Sequence, residues 1–399
     1  MAPLQLTVIG GEWAGAHTEK FLEPYNANAT PDTRVQVIAI PWEEYKSELT
    51  HIAIHGLGVG VTQVGAPVVN DLIAMDTLRP FPAPELAAMG GEAAFTHAGW
   101  NNTNRIADER IWAVPWLVDP RGLLYWRDML EDAGIDETQA FTTIEQTENS
   151  LQRLQAVGYT SPLGLSTGNA FLAGQASCSW VWGSGADFVT PDGKRALFLE
   201  PAFLSGLKAY FRLAPYLLRT TEGSVQILDD AVEPFLERKT AILYGSLWAV
   251  NSFILDRTSP QYTNLGLALP PGAPYAGGSS LAIWKNAPNA HHAANLVKYL
   301  TSHDAQVKYP LMVNHLPARA DALLVAPFSE NPHLQSFIRL ASAARAFPTI
   351  KLGGMLEGLY GAAVVRIWSQ IAANPRCDID TLIKRELAIL GRRFQGWVS

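Results

Sequence analysis

A chain of 399 residues with 48% hydrophobic and 17% charged side chains is globular, and it is longer than one core usually holds, so two domains are expected. A net charge of −7 argues against a nucleic acid or an anionic membrane surface as partner. No apolar run reaches membrane-spanning length and no signal peptide is visible; Met1-Ala2-Pro3 leads directly into a strand pattern, as expected of a start residue placed on an already processed chain.

Leu4, Leu6 and Val8 alternate with polar residues, as a half-buried strand does. Gly10-Gly11 breaks the run, and Phe21, Leu22 and Tyr25 then recur at helical spacing. Val35, Val37 and Ala39 alternate again until Pro41 stops them. Strand, helix, strand in this order is a βαβ unit with parallel strands, and it predicts an α/β fold. Farther on, an apolar run from Ile111 to Val118 stops at Asp119-Pro120-Arg121-Gly122, and a second run covers Leu123 to Trp126. Arg127-Asp128-Met129-Leu130 then opens a short helix that Gly134 can close. Two strands meeting at a polar corner, with a carboxylate and a guanidinium exposed there, suit a chain crossing between lobes beside a ligand. Leu269 to Ser280 is rich in glycine and proline and predicts a linker, or a loop that approaches something closely, rather than a regular element. Asn286 and Pro288 predict a helix start, with Ala293, Leu296, Val297 and Leu300 on one face. Leu356, Leu359, Tyr360, Ala363, Val364, Ile367, Trp368 and Ile371 hold the helical period until Asn374-Pro375.

Several motifs invite chemistry. Gly164-Leu-Ser-Thr-Gly168 fits the G-x-S-x-G nucleophile elbow, with His55-Gly-Leu-Gly58 as a faint oxyanion-hole motif and Asp230 and His292 as partners for Ser166. The glycine inside Asn169-Ala-Phe-Leu-Ala-Gly174 makes a poor helix after such an elbow. Gly56-Leu-Gly-Val-Gly60 lacks the third glycine and the acidic partner of a dinucleotide fingerprint. The nine histidines form no H-E-x-x-H pattern, and no metal or cofactor is expected. Cys178 and Cys377 match no metal pattern either; a disulfide and two unpaired, buried thiols both stay open. Twelve tryptophans are a rich supply, and several stand beside glycine or small polar residues: Trp13, Trp180, Trp182 and Trp248. Indole faces stack on the C–H faces of sugar rings, while carboxylates, amides and arginine pair with the hydroxyls. At least two tryptophans lining a cleft is the expectation, the remainder being core.

The 110–134 stretch resembles a signature of the bacterial extracellular solute-binding proteins of ABC importers, the carbohydrate-binding, maltose-binding-protein-like branch. Four further segments are similar to that family in its order: Thr62 to Pro80; Phe235 to Trp248; Leu269 to Lys285; and His315-Leu-Pro-Ala-Arg319. Arg238 replaces the usual glycine, and Leu247 puts Trp248 one position later than in many members. The resemblance implies a two-lobed periplasmic-binding-protein-like fold (type II), each lobe a mostly parallel sheet flanked by helices, with the ligand in the cleft. Residues 1–118 and 270–315 would form lobe 1, and residues 119–269 and 316–399 lobe 2. It implies a monomeric, non-enzymatic, extracytoplasmic protein, periplasmic or a cell-surface lipoprotein. Such a protein closes on a sugar and delivers it to membrane permease subunits. Carried onto this chain, the implied ligand contacts are Glu12, Trp13, Gln63 and the weaker Asp71 from lobe 1. Asp119 and Arg121 lie at the crossing, where a mutual salt bridge is the alternative. Asn169, Trp182, Trp248 and Arg345 come from lobe 2, and Gly277, Gly278 and Ser279 from the return. Two alternatives remain: the same fold binding a phosphorylated polyol such as a glycerophosphodiester through Arg121 and Arg345, and a serine hydrolase using Ser166.

Overall fold

The computed structural model describes residues 3–31, 33–57, 59–101 and 110–398; Gly58 of the two glycine motifs lies outside them. The strands, in chain order, are β1 (Leu4–Ile9), β2 (Val35–Ile40), β3 (Val61–Gly65), β4 (Leu78–Arg79), β5 (Ala113–Pro120), β6 (Gly122–Trp126), β7 (Leu163–Gly164), β8 (Ile242–Gly245), β9 (Leu265–Ala268), β10 (Ala276–Trp284) and β11 (Leu316–Pro317). Contacts divide the chain into two units. The first is Met1–Asp119, Ala276–Ile338 and Thr349–Gly354; the second is Pro120–Tyr275, Arg339–Pro348 and Met355–Ser399. Residues 316–338, expected in lobe 2, therefore pack in the first unit. The reason is β11: Leu316 and Pro317 pair with Val118 and Leu117 of β5.

In the first unit the sheet order is β11-β5-β10-β3-β1-β2, with β4 on β10. The alternating apolar runs at the N-terminus form β1 and β2, joined by α1 (Gly11–Ala27). Helices α2 (Tyr45–His55) and α3 (Ala66–Ala74) flank β3 in the chain. Strand β1 is parallel to β2 and β3, as the βαβ reading predicts. Strand β10 enters in the opposite direction and is antiparallel to β3 and β4. This sheet is therefore mixed beyond its parallel N-terminal strands. Ile9, Ile40, Leu49, Val64, Val69, Leu72, Trp112 and Trp284 share one buried cluster. Each such side chain contributes about 1.5–3 kcal/mol by leaving water.

The glycine-rich stretch before residue 280 is not a loop throughout: Ala276 to Ser280 are the first residues of β10. A Cβ on Gly277 would stand 2.5 Å from the Asp119 carbonyl oxygen, and one on Gly278 2.3 Å from that of Leu117. Gly278 also has φ +130°, a backbone conformation that side chains rarely permit. The glycines let β10 lie directly against the backbone of β5.

In the second unit the order is β7-β8-β6-β9. Only β7 and β8 are parallel; β6 is antiparallel to both β8 and β9, so the expectation of a mostly parallel sheet fails here. The core is aromatic. Trp126 stacks on Phe235 with centroids 4.7 Å apart and donates Nε1 to its carbonyl oxygen at 3.0 Å. Phe188 meets Tyr360 edge-on at 4.9 Å, and Trp368 Nε1 donates to the Tyr210 hydroxyl at 3.3 Å. The long helix of the C-terminal region spans Gly353–Ala373 and ends before Asn374, as its periodicity predicts. The helix Ala290–Leu300 begins later than Asn286, because the Asn289 side chain is the group that caps it, accepting from His292 N.

Candidate functional site

In open α/β sheets, ligands gather outside the carboxyl ends of the parallel strands, where loops leave the sheet and helix N-termini begin. In the first unit that edge carries Gly10-Gly11-Glu12-Trp13 after β1, Pro41-Trp42 after β2, Gly65 at the end of β3, and Ser279, which pairs with Gly65 across β10. Glu12 is exposed in the first turn of α1, and Trp13 is 44% exposed. The Trp13 ring lies 4.5 Å from that of His17 one turn on. Gln63 is only 4% exposed. Its Oε1 accepts from Ile9 N at 2.7 Å and its Nε2 donates to Ser279 Oγ at 2.9 Å. Gln63 thus ties the ends of β1, β3 and β10 together. Asp71, on α3, accepts from Gly354 N at 3.1 Å, and Lys46 Nζ donates to the Gly354 carbonyl at 3.3 Å. The Asp71 carboxylate therefore serves the start of the Gly353–Ala373 helix.

The exposed carboxylate expected at residue 119 is corrected by the structure. Asp119 is 5% exposed, because β5 continues through it to Pro120 and all eight of its residues are buried. The corner is a single residue, Arg121, between β5 and β6. Its backbone N–H donates to Tyr275 O at 3.0 Å and its Nη1 to Ser246 Oγ at 3.3 Å.

In the second unit the matching edge is formed by the ends of β7 and β8 and the start of β6. Arg121, Ser246 and Trp248 are placed there, and Asn169 follows β7. Asn169 Oδ1 caps the helix Ala170–Gly183, accepting from Phe171 N and Leu172 N at 3.0 and 3.1 Å. Trp248 sits in a short 3-10 turn beside the fully buried Leu247 and is 48% exposed. Burial holds the nearby Tyr244 phenol far above its ordinary pKa, so it remains a neutral hydroxyl against Ser179 Oγ at 3.1 Å.

Trp182 and Arg345 form a separate group with Tyr275. Trp182 is 7% exposed and stacks on Tyr275 with centroids 6.3 Å apart. The Arg345 guanidinium lies 5.2 Å from the Trp182 ring and is paired with Asp187. Among the described residues the Trp182 Nε1–H, fully buried, has no hydrogen-bond partner. Ser166 is buried, and among the described residues it is not hydrogen-bonded to a histidine or a carboxylate. Cys178 and Cys377 are both free; Cys377 is half-buried rather than buried. Burial pushes the Cys178 thiol well above its ordinary pKa. Among the described residues, no group of three or more His, Cys, Asp or Glu side chains is placed to hold a metal ion, and no helix is long and apolar enough to cross a membrane.

Sequence reasoning missed Trp42, which is 44% exposed. The signal was present in Pro41-Trp42 directly after a predicted strand. Of the twelve tryptophans, eight are buried, Trp397 is intermediate, and Trp13, Trp42 and Trp248 are the exposed three. The departure at Arg238 also has a structural account. Arg238 holds φ +61°, the left-handed conformation for which glycine is favoured, just past the helix Val232–Leu236. Its guanidinium lies 5.1 Å from the Trp126 ring and pairs with Asp128 at 2.6 Å.

Residues 20–336 match the family model described as bacterial extracellular solute-binding protein, and the chain belongs to that family. A Brucella abortus (strain 2308) protein named only as a binding protein is 19% identical over 84% of this chain and 80% of its own. Among solved structures, the sugar-binding protein MalE of Xanthomonas citri aligns at TM-score 0.79 and 19% identity, covering 100% of this chain and 97% of that one. The maltose-bound T. maritima MalE3 aligns at TM-score 0.80 and 19% identity, covering 98% and 99%. These likenesses show the fold: α/β, two-lobed and periplasmic-binding-protein-like, as the sequence resemblance implies.

Proposed function

We propose that this chain is the extracytoplasmic substrate-binding component of an ABC importer and that its ligand is a mono- or oligosaccharide. In this reading the two units act as the two lobes, close on the sugar by a hinge, and present it to membrane permease subunits. The protein works as a monomer, in a periplasm or anchored by lipid, and carries no cofactor. One observation carries the sugar assignment: the exposed indoles stand at strand ends of each unit's sheet, Trp13 and Trp42 in the first and Trp248 in the second, beside Glu12 and Arg121. Exposed indole faces are costly in water and stack on sugar C–H faces. The bound maltose of the T. maritima relative supports the same class. Glu12, Trp13, Arg121, Asn169 and Trp248 are the proposed direct contacts. Gln63, Ser279, Gly277 and Gly278 hold the strand ends in place. Trp182, with an unspent buried N–H, is a further proposed donor.

The phosphorylated-polyol alternative needs two available arginines. Arg345 is already engaged by Asp187 and by the Trp182 ring, which weakens that alternative. Isothermal calorimetry with mono- and oligosaccharides, amino acids, peptides and glycerophosphodiesters tests the assignment. Saturable heat with a neutral sugar supports it. Heat with amino acids, peptides or phosphodiesters alone overturns the sugar assignment.

A further inference from the structure

The carboxyl edge of the first unit's parallel strands holds a second exposed indole besides Trp13, and its setting is specific. Trp42 follows β2 and is held edge-on against Tyr45, with centroids 6.0 Å apart and planes at 78°. Tyr45 is itself buried at the start of α2, so the indole packs against a buried ring while nearly half of the side chain stays in water. Gly10 lies beside the Trp42 Nε1. A Cβ placed on Gly10 would lie 3.6 Å from Trp42 Nε1 and only 2.8 Å from Ala14 Cβ. Gly10 has φ +123° and precedes α1, so the turn from β1 into Gly11-Glu12-Trp13 passes directly beside the indole. A half-exposed indole thus stands against a buried ring, beside the turn that leads from β1 to the exposed Glu12 and Trp13.

We propose that Trp42 is a specificity-determining residue of the sugar site: its indole is a platform for the flat C–H face of a cyclic sugar, with Glu12 accepting from that ring's hydroxyls. This rests on the carbohydrate reading above and sharpens it to ring-form sugars. An acyclic polyol has the hydroxyls but no flat apolar face, so it gains little from a rigid indole. Because Trp42 is half-exposed, its removal leaves the core of the unit intact.

The test is calorimetric titration of wild type, Trp42→Ala and Trp42→Phe with the sugar that wild type binds best and with its reduced, open-chain alditol. Thermal melts of each variant establish that it is folded. The expected result is a roughly 10- to 100-fold loss of affinity for the cyclic sugar in Trp42→Ala, in the range for loss of one stacked ring. Most of that loss is restored in Trp42→Phe. The alditol binds wild type more weakly than the ring form, and Trp42→Ala narrows the gap. Sugar binding that is unchanged in a folded Trp42→Ala overturns this proposal and leaves the carbohydrate reading standing. Wild type that binds no sugar overturns both.

Discussion

Gln63 Nε2 donates to Ser279 Oγ at 2.9 Å, while the other end of the same amide accepts from Ile9 N. One buried amide thereby joins three strand ends beside the exposed Glu12 and Trp13. Replacing it with the apolar leucine leaves the Ile9 N–H and the Ser279 hydroxyl without their partner in a buried setting. Gln63→Leu is expected to destabilise the protein by about 1–3 kcal/mol, the usual cost of orphaned buried polar groups. Urea unfolding, with an unchanged m-value, measures it.

Gly278 is fixed by two independent constraints, its positive φ and the Leu117 carbonyl 2.3 Å from any added Cβ. Gly278→Ala should therefore lower stability by more than about 2 kcal/mol, since strain and backbone displacement add. A melting temperature equal to wild type would show that β10 can move off β5 at little cost.

Arg238 occupies a glycine-favouring backbone position and has contacts that offset the strain. Arg238→Gly relieves about 1 kcal/mol of left-handed strain and forfeits a half-exposed ion pair and a cation–π contact of similar total size, so its net effect on stability is near zero. The sharper readout is Asp128. Burial acts against its charged form, yet hydrogen bonds from Arg238 and Asn264 hold its carboxyl below the ordinary range. A depressed carboxylate lends stability that is present above its unfolded pKa and lost as pH falls through its folded pKa. Wild type should thus lose more stability on acidification than Arg238→Gly, and NMR titration should find the Asp128 pKa raised in the variant.

Trp248 presents nearly half its surface to solvent although its neighbour Leu247 is fully buried. The 3-10 turn Leu247–Ala249 places the two side chains in opposite environments. Trp248→Ala is expected to weaken sugar binding by about 1.5–3 kcal/mol through lost burial and stacking. An unchanged dissociation constant would remove Trp248 from the site.

Much of the first unit is legible in the sequence because β1, α1 and β2 follow local periodicity: Leu4, Leu6 and Val8 alternate, and Leu22 sits on the buried side of α1. The strand directions of the second unit were not legible, since β6, β8 and β9 pair across long chain separations that leave no local pattern. The start of β10 was misread for a physical reason. Its glycines are demanded by the neighbouring β5 backbone, and in the sequence they look like a loop. Asp119 was misread likewise, as a polar residue followed by proline marks a turn in most chains, whereas here β5 continues through it. Which tryptophans remain exposed is a tertiary property, so composition identified the aromatic supply while the fold alone separated Trp13, Trp42 and Trp248 from the buried eight.

The most direct measurement of the central claim is tryptophan fluorescence during titration with neutral sugars, because most of the other indoles are buried and the three exposed ones are the proposed contacts. The account predicts a saturable blue shift with at least one sugar, diminished in Trp248→Ala and absent when Trp13, Trp42 and Trp248 are all replaced. A spectrum that responds to no sugar, but shifts saturably with an amino acid or a peptide, would contradict it.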